Sequence, residues 1–395
     1  MGCRAFQFML DPTMKQRQAL DRLRVEQSRL YNAALEERRG AWRWERRTIT
    51  RFEQYRTLTG MAAQEPVLLA FGVTVARGTL LRLDRAFQAF YRRVKTGEAP
   101  GFPRFRSAGR FDSVEWPDQQ GWKLDEGARR LYLQGVGHVK LRLHRPLRGT
   151  PKTITVCRVG HRWQVTVFCV DVPAQLLPAT GRDVGVDVGV NVLAGLSDGR
   201  LVGNPRHLRT SADRLAAAQR LVAGRRRGSN RQRRAGERVA AMHRKIGNQR
   251  RDVLHKLSRS LVDDHDLIVV EDLRVADMTR RPRPRPDGDG HHEPNGAAAK
   301  AGLNKSILDA GWGTLIAMLT YKAEDAGREL IAVNARHTSQ TCASCGLVDR
   351  DNRHGTVFRC VSCGHHDHAD VNAAVNILRA GQAQRLEREA NRAVA

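Results

Sequence analysis

Between Asp183 and Gly199 the chain reads DVGVDVGVNVLAGLSDG, a run of alternating valines of the kind that forms a half-buried or buried strand, with Asp187 in its middle. Strands disfavour aspartate, and an ionised carboxylate in an apolar layer costs several kcal/mol unless something pairs with it. Two further acids stand in similar places: Glu271 ends the apolar run LIVV, and Asp370 begins the helix of DVNAAVNIL. Singly, each has an ordinary explanation as a strand-end acid in solvent or as an aspartate at a helix N-terminus. Together they suit Mg²⁺, a hard cation that takes oxygen ligands. Two such ions polarise a phosphodiester, generate hydroxide at neutral pH and stabilise the leaving oxygen.

A second constellation is TCASCGLVDRDNRHGTVFRCVSCGHH, with Cys342, Cys345, Cys360 and Cys363 in two C-x-x-C pairs separated by 14 residues. Each pair followed by Gly is a knuckle that turns two thiolates toward one ion, so the four predict a single tetrahedral zinc. Four protein ligands leave no open position, which makes that zinc structural. His354, His365, His366 and His368 lie nearby and are expected at the surface or against nucleic acid. Cys3, Cys157 and Cys169 are scattered spares, expected reduced.

With 68 Lys+Arg against 41 Asp+Glu, the chain of 395 residues carries a formal net charge of +27. A surplus of that size repels itself unless the partner is a polyanion, which points to nucleic acid. No apolar run is long enough to span a membrane, and MGCRAFQFML resembles neither a signal peptide nor a myristoylation site. The expected location is cytoplasmic, nucleoid-associated in a prokaryote. The oligomeric state is left open.

The elements that must position these residues follow from periodicity. Residues 3 to 10 read as a strand and 12 to 95 as mostly helix, ending near GEAPGFPRF. From about 110 to 180, short alternating stretches such as RLYLQ, HVKLRL, TITVCRV and WQVTVFCV read as strands of a small barrel or sheet. After the strand of Asp187 and its hairpin partner NVLAGLSDG, a stretch from Asn204 to Lys256 holds sixteen Lys or Arg against three acids and reads as one or two long helices. Then come the strand LIVVEDL and a mobile loop over 280 to 302, rich in Pro, Gly, Ala and charge. The helix SILDAGWGTLIAMLTYKAEDAG, the strand ELIAVN, the cysteine module, the helix DVNAAVNILRAG and a tail without readable role complete the chain.

Hairpin, long helix, strand, helix, strand, helix is close to the order of an RNase H-like fold. Within that fold, strand-transferring transposases usually order their acids Asp, Asp, Glu, whereas RuvC-like nucleases order them Asp, Glu, Asp; this chain has the second order. The segments GVDVGVNVLAGLSDG, IVVEDLRVADM, LNKSILDAGWGTLIAMLTYKAEDAGR, TSQTCASCG and HADVNAAVNILRAG resemble the successive motifs of TnpB (OrfB) proteins, insertion-sequence-associated nucleases related to compact type V CRISPR effectors. LDPTMKQRQAL, YNAAL and AFYRRVKTGEAPGFPRFRS resemble that family's start.

The resemblance implies an RNA-guided, Mg²⁺-dependent DNA endonuclease with guide RNA and double-stranded target DNA as partners, acting beside a short flanking motif. By motif position it makes Asp187, Glu271 and Asp370 the catalytic acids and magnesium ligands, and the four cysteines a zinc finger. The fold it implies is multidomain α+β. A β-barrel wedge (1–11 and 107–180) receives a helical recognition lobe (12–106), and a RuvC-like α/β nuclease domain (181–336 and 367–382) receives the zinc ribbon (337–366), with 383–395 as tail. One departure is that family members often carry Asp-x-Asp before Asn-Ala-Ala, where this chain has His368, with Asp367 one place earlier.

Candidate phosphate contacts are Arg225, Arg226, Arg227, Arg231, Arg233, Arg234, Arg244, Lys245, Arg250 and Arg251, against the alternative of a merely solvated basic face. Tyr31, Trp42, Trp44 and Trp116 could stack on bases, but with helical spacing they are expected in the core. Two rival functions remain in view. One is a nuclease-silent RNA-guided repressor, which the presence of all three acids disfavours; the other is a strand-transferring transposase, which their order disfavours.

Overall fold

The computed structural model describes residues 2–394 except 288–290, 292 and 335. It divides into two units, Met1–Pro173 and Ala174–Ala395. Among the described residues no helix is long and apolar enough to cross a membrane.

In the first unit, strand β1 (Gly2–Asp11) is followed by helices α1 (Met14–Glu45), α2 (Arg51–Met61), α3 (Pro66–Phe71) and α4 (Val73–Lys95). Six strands follow: β2 (Ser113–Trp116), β3 (Trp122–Asp125), β4 (Arg130–Leu133), β5 (Gly137–Arg142), β6 (Thr150–Val159) and β7 (Arg162–Val172). They form one antiparallel sheet in the order β2-β6-β7-β1-β5-β4-β3. Alternation selects its inner face: Trp163, Val165, Val167 and Cys169 of β7 are buried beside Phe6, Phe8 and Leu10 of β1. The two end strands are consecutive in sequence and send Trp116 and Trp122 into that same core, so the sheet curls into a nearly closed, barrel-like form.

The helices have their own core around Tyr31, Leu35, Leu80, Leu83 and Phe87. Thr13 and Gln16 cap α1 reciprocally, as Thr50 and Glu53 cap α2, so both helix starts are written in the sequence. Tyr31 and Trp116 are buried as expected, but Trp42 and Trp44 are not, standing 55% and 77% exposed. They lie on the last turn of α1, where helical spacing persists but no neighbouring element covers the face.

The second unit is built on a five-stranded sheet of β8 (Asp183–Val188), β9 (Val192–Leu196), β10 (Leu201–Gly203), β11 (Leu267–Glu271) and β12 (Glu329–Val333), ordered β10-β9-β8-β11-β12. The pairs β8·β11 and β11·β12 are parallel, and the other two antiparallel. Between β10 and β11 run helices α5 (His207–Thr210), α6 (Ala212–Ala223) and α7 (Asn230–Asp264); between β11 and β12 run α8 (Val275–Met278), α9 (Ala297–Ala310) and α10 (Trp312–Ala326). A small sheet of β13 (Arg353–His354), β14 (Val357–Arg359) and β15 (His366–His368) precedes the last helix, α11 (Ala369–Val394).

Period-two alternation sorts the side chains of the central strands. Val184, Val186, Ile268 and Val270 face Leu254, Leu257 and Leu261 of α7 and Leu315 and Leu319 of α10. Leu267 and Val269 face the other way, against Ile377 of α11. On that second face glycines admit the helix: a Cβ on Gly185 would stand 2.0 Å from the Ala374 carbonyl oxygen.

Several boundaries differ from those read in the sequence. The basic stretch forms three helices rather than one or two. AAAKAG, placed in the 280–302 loop, opens α9, since alanine favours helix; part of that loop, 288–290 and 292, lies outside the described residues. The single helix expected from Ser306 breaks at Gly311, whose φ of 76° is left-handed backbone and starts α10 in a new direction. The tail is no tail: α11 continues to Val394, and its Arg385 pairs with Glu329 of β12 at 3.1 Å.

Replacing Gly185→Ala should therefore destabilise the second unit by about 1–3 kcal/mol, the usual cost of overpacking. Gly236→Ala, in open space on α7, should instead be neutral or stabilising by up to about 1 kcal/mol. Urea denaturation of the two variants checks the contrast.

Candidate active site and metal centre

Val270 of β11 pairs with Val186 of β8, so the next residues along, Glu271 and Asp187, end up side by side on the α11 face of the sheet. Adjacent strands lie ~4.8 Å apart, which sets the scale of their separation. Asp187 pairs across the antiparallel side with Gly195, and a Cβ on Gly195 would lie 2.8 Å from both the Cβ and the carbonyl carbon of Asp370. Asp370, in the first turn of α11, thus rests on the strand pair that carries Asp187. Three acids distant in sequence meet because two strands end together and a glycine lets a helix descend on them.

Burial and mutual repulsion raise two of the three. Burial, followed by the charges of Glu271 and Asp370, pushes the Asp187 carboxyl up to about 8. Burial likewise raises Glu271 to about 7, against the opposing hydrogen bond of the Thr338 hydroxyl. Among the described residues no donor hydrogen-bonds to Asp187. Among the described residues the one cation that answers the cluster is Arg353, which donates from Nη2 to Asp370 Oδ1 at 3.0 Å. Sequence reasoning missed Arg353, which sits between the cysteine pairs with no periodic or motif signal to separate it from the chain's many other arginines.

Arg353 is held by the cysteine module. The Sγ atoms of Cys342, Cys345, Cys360 and Cys363 all lie within 4.8 Å of one another. Cys342 and Cys363 sulfurs are 3.6 Å apart, as are those of Cys345 and Cys360. A tetrahedron with Zn–S bonds of ~2.3 Å has edges of ~3.8 Å, so the four thiols could hold one zinc ion. Both knuckles close the same way, with Gly346 N–H donating to Cys342 O at 3.0 Å and Gly364 N–H to Cys360 O at 3.1 Å. The Cys360 thiol is held down to about 6, chiefly by the Cys363 N–H, while, against the Leu347 N–H, the neighbouring thiols push Cys345 up to about 12, so a metal bound there would displace protons. Cys169, by contrast, is pushed up to about 11 by burial and is an inert core thiol.

Two asparagines of DVNAAVN stitch this module to α11. Asn372, fully buried, accepts from Ala343 N–H and donates to Thr341 O, both at 2.8 Å. Asn376 donates to Thr338 O and Thr341 O. His368, where an acid was expected from the family pattern, accepts from Asp370 N–H through Nδ1 at 3.2 Å and so caps the start of α11. Among the described residues only the four thiols form so tight a ligand group; the three carboxylates are more widely spread, as like charges are.

Of the basic candidates, Arg225, Arg226, Arg227, Arg231, Arg233, Arg234, Lys245 and Arg251 are exposed, and Arg244 is half-buried. None of these nine has a carboxylate partner among the described residues, and the first three lie in the turn between α6 and α7. Arg250 differs: it pairs with Asp309 at 3.2 Å and donates to Leu308 O at 3.0 Å, so it ties α7 to α9.

With this geometry in hand, the chain can be set beside known proteins. Residues 167–281, which include Asp187 and Glu271, match a family model described as "Probable transposase". Residues 312–377, which include the four cysteines, Arg353 and Asp370, match "Cas12f1-like, TNB domain". A protein of Escherichia coli K12 named "Putative RNA-guided DNA endonuclease InsQ" is 34% identical over 306 residues, 77% of this chain and 73% of its own length. The chain belongs to the TnpB family. Another member, "Putative RNA-guided DNA endonuclease" of Streptomyces pristinaespiralis, is 32% identical over 96% of this chain and 90% of its own. In fold the family member resembles the protein of a cryo-EM structure of a Cas12f1–sgRNA–target DNA complex, with a TM-score of 0.55 at 14% identity over 92% of this chain and 83% of that one.

Two measurements check the site. Purified protein should carry one zinc per chain, and Cys342→Ser should release it and raise amide exchange over 337–366 while leaving Met1–Pro173 protected. For Asp187, the folded value of about 8 lies above the ordinary 3.8. Between those values the unfolded chain has lost a proton that the folded chain keeps, so metal-free stability should fall as pH rises from about 4 to about 8. Asp187→Asn should flatten part of that slope in urea titrations at pH 5 and pH 8.

Proposed function

We propose that this chain is an RNA-guided endonuclease that hydrolyses DNA phosphodiesters, with Asp187, Glu271 and Asp370 as ligands of its catalytic divalent cations. The observation that carries the reading is the cluster itself: three carboxylates from two strand ends and a helix start, answered among the described residues by one arginine, Arg353. Buried negative charge left uncompensated is costly, and a cluster held at that cost calls for a cation. The donor set is all oxygen, which fits Mg²⁺. Bound there, two such ions supply the positive charge that activates water and steadies the departing oxygen of an in-line displacement.

The residues divide the remaining work. Asp187 and Glu271, on rigid parallel strands, fix two ligand directions, and their raised pKa values mean that cation binding displaces protons and tightens as pH rises. Arg353 orients Asp370 and keeps part of the charge neutralised before a cation arrives. A structural zinc on Cys342, Cys345, Cys360 and Cys363 keeps Arg353 and Thr338 in register with α11.

The sheet order, with three antiparallel strands continued by two parallel ones and α11 across one face, supports a RuvC-like domain over 181–336 and 367–382 with the zinc ribbon inserted at 337–366. The barrel-like sheet supports a wedge formed by 1–11 and 107–180, with 12–106 as recognition lobe. Guide RNA and a target duplex bearing a short flanking motif are the partners this reading requires, in keeping with the net charge of +27 and with base pairing as the reader of sequence. The exposed arginines from Arg225 to Arg234 are offered to phosphate.

Asp187→Ala should abolish cleavage of plasmid DNA carrying a matched target while the protein still co-purifies with a defined RNA. Cleavage retained by that variant would remove the three acids from the chemistry.

A further inference from the structure

The junction of α1 and α2 carries a feature that the acid cluster does not use. Trp42, Trp44 and Phe52 stand 55%, 77% and 63% exposed. Together with Tyr91 and Phe102, 50% and 46% exposed, they line one groove of about 920 Å³ in the helical part of the first unit. Single exposed apolar side chains need no explanation, but five large rings in one groove mark a surface that something covers.

The groove's charge narrows what that is. The Arg43 guanidinium lies 4.9 Å from the Trp44 ring centroid, Arg46 5.9 Å from Trp42, and Arg51 4.7 Å from Phe52. Arg43 and Arg46 have no carboxylate partner among the described residues. The groove's Asp84 is already answered by Arg38 at 3.3 Å and Arg51 at 3.6 Å. Flat rings flanked by unpaired guanidinium groups suit a ligand that is itself flat, aromatic and anionic at its edge, which is the chemistry of a nucleotide. The bases must be unpaired, because a ring reaches the face of a base only where stacking within a duplex is interrupted.

We propose that this groove stacks unpaired nucleotides of the guide RNA, held between Trp42, Trp44 and Phe52 with Arg43 and Arg46 on the phosphates. This rests on the RNA-guided reading above. RNA rather than target DNA is assigned because, on that reading, the guide is the partner that brings unpaired bases, whereas the target arrives as a duplex.

The chain has six tryptophans, and the other four, Trp116, Trp122, Trp163 and Trp312, are at most 7% exposed. Solvent-accessible tryptophan emission therefore reports this groove directly. Titrating the full-length, RNA-stripped protein with a twelve-nucleotide oligouridylate should quench that emission saturably. In the variant Trp42→Ala/Trp44→Ala, labelled oligouridylate should bind about tenfold more weakly for each stack lost, with an unchanged melting curve because both rings are exposed. Protein purified with its RNA should show Trp42 and Trp44 shielded from acrylamide, and nuclease removal of that RNA should expose them; rings as accessible before as after would overturn the assignment to the guide. Absence of quenching by oligouridylate, or a concentration-dependent dimer that the double variant abolishes, would overturn the site. Sequencing the RNA carried by the wild-type protein separates the two readings: if a defined RNA is present and the rings stay open, only the groove has failed, and if none is present, the guided reading has failed with it.

Discussion

Two carboxylates at strand ends and a third on the helix that crosses them are the constraint on which the second unit turns. Left alone they would repel, and burial together with that repulsion raises two of them, Asp187 to about 8 and Glu271 to about 7. Everything around them acts to keep them close in spite of that. Parallel pairing sets Glu271 beside Asp187. Gly195 and Gly185 remove the side chains that would hold α11 off the sheet, and Gly381 does the same farther along, where a Cβ would meet Val269 at 2.4 Å. The valines on the opposite face, packed on α7 and α10, lock the strands so that the acids cannot turn away.

The cysteine module is best understood through the same constraint. Its small sheet has little apolar core beyond Cys342, Phe358, Cys360 and Ala369, so a metal on the four thiols would do there what burial does elsewhere. What it steadies is the acid cluster: Arg353 reaches Asp370, Thr338 reaches Glu271, and Asn372 and Asn376 bind the module's backbone to α11. The thiol cluster and the acid cluster are therefore mechanically one assembly.

How much of this was open to sequence reading differs residue by residue. Asp187 was conspicuous because alternation made its neighbours apolar, and the cysteines because ligand spacing is local. Glu271 and Asp370 are ordinary singly, and only their order and the family motifs drew them together. Gly185, Gly195 and Arg353 act through contacts between segments far apart in sequence, which no local pattern records. Trp42 and Trp44 misled for a related reason: helical periodicity says which side of a helix a residue takes, not whether anything lies there. The breaks at Gly311 and Ala297 and the extension of α11 were boundary errors, set by single dihedrals and by propensities that a compositional reading of a loop or tail overlooks.

The account joins an acid cluster to RNA-directed hydrolysis, and one experiment addresses that junction. Protein reconstituted with its co-purifying RNA would be given plasmids that do or do not match the RNA's variable end, in Mg²⁺ or in EDTA, and the products followed over time. The account predicts strand breaks only on the matched plasmid and only with Mg²⁺. Breaks that persist in EDTA, or that ignore the match while the RNA is bound, would contradict it.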